Sequence, residues 1–391
     1  MSSELEDYYK VIYNCCKCSM CRNMSPWEMQ SKQFKDICPS GTRFLFEAYF
    51  APGKMEITRA LLDKEISYTD RLLHIIFACP LCGGCQAQCD DVNIIKPLDV
   101  LQKLRIKVVK ERGPLPAHAK FAKSIKELHN PYNESHENRL DWLPKGIKLN
   151  ENNAKTAYFV GCTSSYRRFE IAKATVSVLD SIGVDFNILH PNEWCCGSPL
   201  FMTGQIDEGI KLMKHNLEVL KEKGIDNLIF SCAGCYGTFK ETYPEYSGEY
   251  KFKVLHLTEF LLDYFKKHDI KLKKYSKTVT YHDPCHLGRH SKVYDAPREV
   301  LMQIPGLKLV EMERIKENSW CCGAGAGVAS AYKDFAYWTA SKRLEEAKSV
   351  GADILTTPCP FCITNFLEAS KTMDNPIKII PLVKILEEVT K

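Results

Sequence analysis

Ten cysteines in this chain fall into two sets of five, and the second set repeats the first 123 to 127 residues further on. One set is Cys162, Cys195, Cys196, Cys232 and Cys235; the other is Cys285, Cys321, Cys322, Cys359 and Cys362. The repeat reaches beyond cysteine. LEVLKEKGIDNLIFSCAGC aligns with LEEAKSVGADILTTPCPFC, and FKVLHLTEFLL with IKIIPLVKILE. Each copy reads as a helix, a Gly-x-Asp turn, an apolar strand, a C-x2-C pair, then another strand and helix. Such alternation predicts an α/β unit with a largely parallel sheet. AYFVGC, LIFSC, VTYHDPC and ILTTPC each place a cysteine just past a strand, where ligands collect in such sheets. Two α/β domains are expected, over residues 155–275 and 276–391.

Within each set two thiols are neighbours, between Trp and Gly. Five thiols do not suit a closed zinc site, which takes four ligands. Adjacent side chains in an irregular turn can reach two irons of one cluster. The glycine lets the backbone turn sharply and brings its N–H groups close. Trp194 and Trp320 read either as shields of a cluster from water or as ordinary core aromatics.

The 19 cysteines among 391 residues fall below the ~8–10% of small disulfide scaffolds. The start, MSSELEDYYK, is acidic and unlike a signal peptide, and no apolar run approaches the ~18 residues of a spanning helix. A soluble, cytoplasmic protein in a reducing compartment is expected, with grouped thiols on metal rather than on each other. The net charge of +5 gives no reason to expect nucleic acid.

The remaining thiols lie near the N-terminus. CCKCSMC supplies Cys15, Cys18 and Cys21, with Cys16 extra; CPLCGGCQAQC supplies Cys79, Cys82, Cys85 and Cys89; Cys38 lies between them. C-x2-C-x2-C-x3-C is the bacterial ferredoxin run, whose fourth cysteine reaches a second cluster. The second group has that spacing in full. In the first, Ser25-Pro26 stands where the fourth cysteine and its proline belong, and Cys38-Pro39 offers the pair thirteen positions later. This assigns Cys15, Cys18, Cys21 and Cys89 to one cubane [4Fe–4S] cluster and Cys38, Cys79, Cys82 and Cys85 to another. Spacing selects Cys15 over Cys16. Structural zinc is the competing reading, although it commonly takes two separated C-x2-C knuckles. EITRALLDKEI and DRLLHIIFACPLC have helical spacing, so residues 1–126 are expected to be an all-α, helical ferredoxin domain. The Pro/Asn-rich stretch over residues 127–154 reads as a linker or wrap.

The full arrangement is C-x32-CCG-x34-C-x2-C, then C-x35-CCG-x35-C-x2-C, behind a ferredoxin-like module. It resembles the twin CCG domains of heterodisulfide reductase in the form of its D subunit, over nearly the whole chain. The resemblance implies one noncubane [4Fe–4S] cluster on each five-cysteine set. It implies an iron–sulfur oxidoreductase that takes electrons from a partner through two cubane clusters. Two noncubane clusters would then reduce a small-molecule disulfide, such as that of coenzyme M and coenzyme B. The family also includes electron-transfer subunits, such as those of tungsten-type benzoyl-CoA reductase complexes. These imply a second role, wiring a flavin or quinone partner to a larger complex with no substrate of its own.

YHDPCHLGRH supplies the nearest acid–base groups. Asp283-Pro284 reads as the N-cap and first position of a helix, which puts Cys285 where the dipole favours thiolate. His286 is the candidate catalytic residue, able to protonate a leaving thiolate; otherwise it hydrogen-bonds cluster sulfide or a carbonyl. His282, His286 and His290 recur every four residues, but Pro284 and the strand before it break a helical metal face. Arg167, Arg168 and Arg289 suit either an anionic part of a substrate or a solvated surface. CCGAGAG does not match G-x-G-x-x-G, so no flavin or nucleotide is expected on this chain. The electron partner is then another protein, a flavoprotein or a membrane cytochrome or quinone-linked protein, with membrane association only through it. From Lys96 to Lys126 there are nine Lys/Arg against two Asp/Glu, read as a solvated helical face or as a dock for an acidic redox partner.

Overall fold

The computed structural model describes residues 4–90, 95–150 and 154–391. Two four-stranded sheets, parallel throughout, form its α/β part. In the first, β1 (Thr156–Phe159), β2 (Asn187–Ile188), β3 (Asn227–Phe230) and β4 (Lys253–His256) lie in the order β2-β1-β3-β4. In the second, β5 (Thr278–Tyr281), β6 (Lys308–Leu309), β7 (Ile354–Thr357) and β8 (Lys378–Pro381) lie in the order β6-β5-β7-β8. The repeat read from thiol spacing is therefore a repeat of topology.

The central strands are apolar and buried, as strands covered on both faces must be. From β1 the chain crosses to one side, then returns to the other side for β3. A switch point thus lies between β1 and β3, and again between β5 and β7, and each opens a crevice at the carboxyl ends. Helices Phe169–Ser181 and Leu382–Thr390 pack the two halves together through Ala172, Val176, Leu179, Ile385, Leu386 and Val389. Burying each larger aliphatic side chain there contributes about 1.5–3 kcal/mol.

The N-terminal part is helical, with Pro39–Phe44, Ala51–Leu62, Asp70–Phe77, Gly84–Asp90, Pro97–Arg112 and Pro116–Leu128. Proline opens several of these, where its missing N–H costs nothing, and Thr69 Oγ1 caps another by accepting the Leu72 N–H at 3.2 Å. Arg105, 1% exposed, ties this part to both halves. Its guanidinium donates to the carbonyls of Ile76, Phe77 and Cys79 at 3.0, 3.4 and 2.6 Å. It also donates to Met202 at 2.9 Å and Ala326 at 3.0 Å. The basic stretch is therefore not one docking face: Lys103 and Arg105 are buried, while Lys110, Arg112, Lys120 and Lys123 are exposed. Residues 127–150 wrap the first half and bury Asn130, Arg139 and Trp142. No helix of the described residues is long and apolar enough to cross a membrane.

Candidate cysteine-rich redox site

The thiols gather where the switch points open. Cys162, Cys232, Cys285 and Cys359 follow β1, β3, β5 and β7, and the Cys-Cys-Gly turns follow β2 and β6. A cavity of about 190 Å³ lies between them, lined by all five thiols of the first set and by Cys285, Cys322, Cys359 and Cys362 of the second. Cys321 sits behind this wall, in side-chain contact with Cys82 of the N-terminal part. Cys232 and Cys359 meet across the middle. None of the nineteen cysteines is in a disulfide, and of the two sets only Cys285 is partly exposed.

Glycine shapes both turns. Gly197 and Gly323 have φ of +79° and +87°, a region costly for residues with a side chain. A Cβ on Gly323 would stand 2.6 Å from Thr339 Cβ and 2.8 Å from the Ala336 carbonyl oxygen. The N–H of Gly197 donates to Cys195 Sγ at 3.5 Å and that of Gly323 to Cys321 Sγ at 3.3 Å. The first set has a further donor in Arg139, whose Nη1 lies 3.7 Å from Cys162 Sγ. Glu193 pairs with that guanidinium and accepts the Val160 and Gly161 N–H groups, each at 2.9 Å.

Two smaller gaps lie in the N-terminal part. Cys15, Cys18, Cys21 and Cys89 line one, with Cys16 beside them, and Cys38, Cys79, Cys82 and Cys85 line the other. Burial pushes the Cys21 thiol up to about 12 and the Cys38 thiol up to about 11, so as free thiols both stay protonated. Of three buried cations near these thiols, Lys54 lines the second gap, while Arg289 and Arg105 reach it through the Cys82 and Cys79 carbonyls. Lys54 donates to Tyr49 O at 2.6 Å and Ser40 Oγ at 3.2 Å. Arg289 donates to the carbonyls of Glu317 at 2.7 Å, Cys82 at 3.3 Å and Ser319. Arg105 holds the five carbonyls above. Among the described residues no carboxylate pairs with any of the three. Lys54 acts electrostatically on Cys38 and Cys82, Arg289 on Cys82, and Arg105 on Cys79. Buried, unpaired charge costs several kcal/mol per group in about this setting, and an anion in the gap removes that cost. Thiolates around a metal core are such an anion, so these residues fit an iron–sulfur group.

His286 lines the large cavity beside Cys285. Its ring lies 4.4 Å from that of His290, whose Nε2 meets the Leu81 carbonyl at 3.0 Å. Burial holds His286 below its ordinary range, so at pH 7 the imidazole is neutral. Tyr132 lines the same cavity, its hydroxyl 2.8 Å from Thr163 Oγ1. Sequence reasoning missed Tyr132, as it missed Lys54 and Arg139. Each sits in a polar or helical stretch with no local signal, and only the chain's return brings it to a thiol.

Several expectations are corrected. Asp283 caps no helix: its carboxylate takes two bonds from Arg298 at 2.7 and 2.9 Å and the Lys316 N–H at 3.0 Å. A buried bidentate guanidinium outcompetes a cap. His286–His290 wind instead as one π-helical turn, too short to offer Cys285 a helix dipole. None of Arg167, Arg168 and Arg289 lines the cavity. Arg167 pairs with Glu134 at 2.7 Å, Arg168 donates to Thr364 Oγ1 at 3.0 Å, and Arg289 is buried on carbonyls. The two tryptophans differ. Trp194 is half-buried and stacked between His129 and His215, at 3.7 and 3.5 Å. Trp320 is buried, donates to Thr339 O at 2.8 Å and has the Arg314 guanidinium 4.6 Å from its ring centre.

The cysteine-rich domain family, CCG, matches residues 156–240 and 279–367. The chain is 37% identical over 386 residues to the D subunit of the dihydromethanophenazine:CoB–CoM heterodisulfide reductase of Methanosarcina mazei, covering 96% of this chain and 93% of that one. It is 33% identical over 392 residues to the B subunit of the fumarate reductase (CoM/CoB) of Methanothermobacter marburgensis, covering 98% and 73%. It is 30% identical over 321 residues to the EtfAB:quinone oxidoreductase of Syntrophomonas wolfei, covering 76% and 44%. A crystal structure of a hypothetical protein from Helicobacter pylori shares the fold, with a TM-score of 0.50 at 14% identity, covering 98% of this chain and 70% of that one. Similarity that runs the length of both chains, over thiols the fold draws to one crevice, makes this chain a member of the family of iron–sulfur oxidoreductases to which the heterodisulfide reductase D subunits belong.

Proposed function

We propose that this chain reduces a small-molecule disulfide in the cavity between its two halves, using electrons from a partner protein. The observation that carries the reading is the cavity lined by nine of the ten repeat thiols, with Cys232 and Cys359 in contact across it. In this reading each quintet holds one noncubane [4Fe–4S] cluster. The helical N-terminal part is the ferredoxin module, with a cubane cluster on Cys15, Cys18, Cys21 and Cys89 and another on Cys38, Cys79, Cys82 and Cys85. When bound, these clusters supply electrons one at a time.

Cleaving a disulfide to two thiols takes two electrons and two protons. The protons come from solvent, and in this reading His286 and Tyr132, one beside each half, hydrogen-bond the developing thiolates as N–H and O–H donors. Burial keeps the Tyr132 hydroxyl protonated by pushing it well above its ordinary range. The chain's own contacts support an order of delivery in this reading. Cys82 adjoins Cys321, so the N-terminal part meets the second CCG domain first, and Cys232–Cys359 joins that domain to the first. No lysine or arginine is among the cavity's described lining residues. That lining offers no cationic side chain to an acidic group next to the S–S bond.

Anaerobic turnover with a reduced dye and a panel of disulfides tests this: two thiols should appear per two electrons consumed. Intact iron–sulfur signals with no disulfide consumed would overturn it. That outcome favours the second reading, an electron-transfer subunit without its own substrate, which the similarity to EtfAB:quinone oxidoreductase supports.

A further inference from the structure

His282 leaves β5 three positions before Cys285 and is fully buried. Its Nδ1 accepts the Nε–H of Arg343 at 3.2 Å. Arg343 is held in turn, donating from Nη1 to Glu346 Oε2 at 2.7 Å and from Nη2 to Ser319 Oγ at 3.2 Å. Glu346 also binds Arg314 at 2.9 Å. The imidazole cannot swing away either. Its backbone N–H bonds Thr356 O at 2.9 Å, and its ring stands edge-on to Phe366 at 4.9 Å.

This fixes the tautomer. A guanidinium only donates, so Nδ1 must present its lone pair, and a neutral imidazole then keeps its hydrogen on Nε2. Nε2 is buried with no hydrogen-bond partner of its own. A ring nitrogen of His282 lies within 4.8 Å of the sulfurs of Cys322 and Cys362. With Nδ1 engaged by Arg343, Nε2–H is the group left to meet them.

We propose that His282 is a positioning residue that donates from Nε2–H to the thiolates of the second quintet, Cys322 first, and is held in that tautomer by Arg343. It is not an iron or zinc ligand, because the nitrogen facing the sulfurs carries hydrogen. The inference rests on reading that quintet as a cluster site. A hydrogen bond to a ligating sulfur favours the reduced, more negative state and raises the potential. The device belongs to one half only. The matching position of the first repeat is Phe159, which donates nothing, and there Arg139 approaches Cys162 instead.

The test is an EPR-monitored redox titration of the anaerobically purified holoprotein, with iron and sulfide counted. His282→Leu should keep its iron and lower the midpoint potential of one CCG-domain signal, leaving the other signals in place. His282→Gln, whose amide N–H can donate, should recover most of the shift. Arg343→Met should move the same signal the same way, because it frees the tautomer. An unchanged potential in either His282→Leu or Arg343→Met overturns the proposal. So does equal loss of iron from the Leu and Gln variants, which would mark a ligand. If the leucine variant does not fold, Arg343→Met and His282→Gln still decide. Wild-type protein with no CCG-domain cluster signal would overturn the cluster reading itself, before any variant is compared.

Discussion

Gly323 shows how little room the second thiol turn leaves. Alanine there meets Thr339 and the Ala336 carbonyl at under 3 Å, on a backbone at φ +87°. Gly323→Ala should cost about 2–4 kcal/mol, from strain and overpacking together, read by denaturant unfolding of the iron-loaded protein. A cost within measurement error would show that the turn relaxes freely. Cys321→Ser should alter one CCG-domain signal and abolish disulfide turnover while sparing the N-terminal signals. Unchanged turnover would remove the thiol pair from the mechanism. Lys54→Met removes a buried cation beside Cys38, so the midpoint potential of one N-terminal signal should fall in a redox titration; an unmoved signal would mean that Lys54 does not sense the gap. The thiols themselves were legible, because ligand cysteines recur at spacings that a sequence displays. Their supporting charges were not. Arg139 lies 23 residues ahead of Cys162, in a polar stretch, and nothing local marks it. Asp283 was misread for the same reason: its partner, Arg298, belongs to the next helix.

Strands carried the clearest signal. The four central strands end where the sequence places a cysteine, since buried parallel strands are short, apolar runs. β2 and β6 are two residues each, too brief for any periodicity, and the strand orders that create the switch points are set by crossovers that composition does not encode. The helix Pro97–Arg112 misleads by its charge. Packed among the N-terminal helices and both halves, it turns Lys103 and Arg105 inward. Arg105→Met should therefore cost at least about 3 kcal/mol, because five carbonyls lose a charged donor at once. It should also raise hydrogen exchange where the N-terminal helices meet Met202 and Ala326. Exchange raised only within Pro97–Arg112 would show that Arg105 ties nothing beyond its own helix.

On the scale of the whole molecule, the prediction is a count. Four [4Fe–4S] groups require about sixteen irons with matching acid-labile sulfide, and anaerobic metal analysis reads it directly; a few zincs without sulfide would leave a scaffold in place of a conductor. The cavity also has a bearing on biogenesis. Its walls come from both halves, and the N-terminal helices seal the back of one wall at Cys321. Neither half alone encloses that space, so both must be in place before the site is whole.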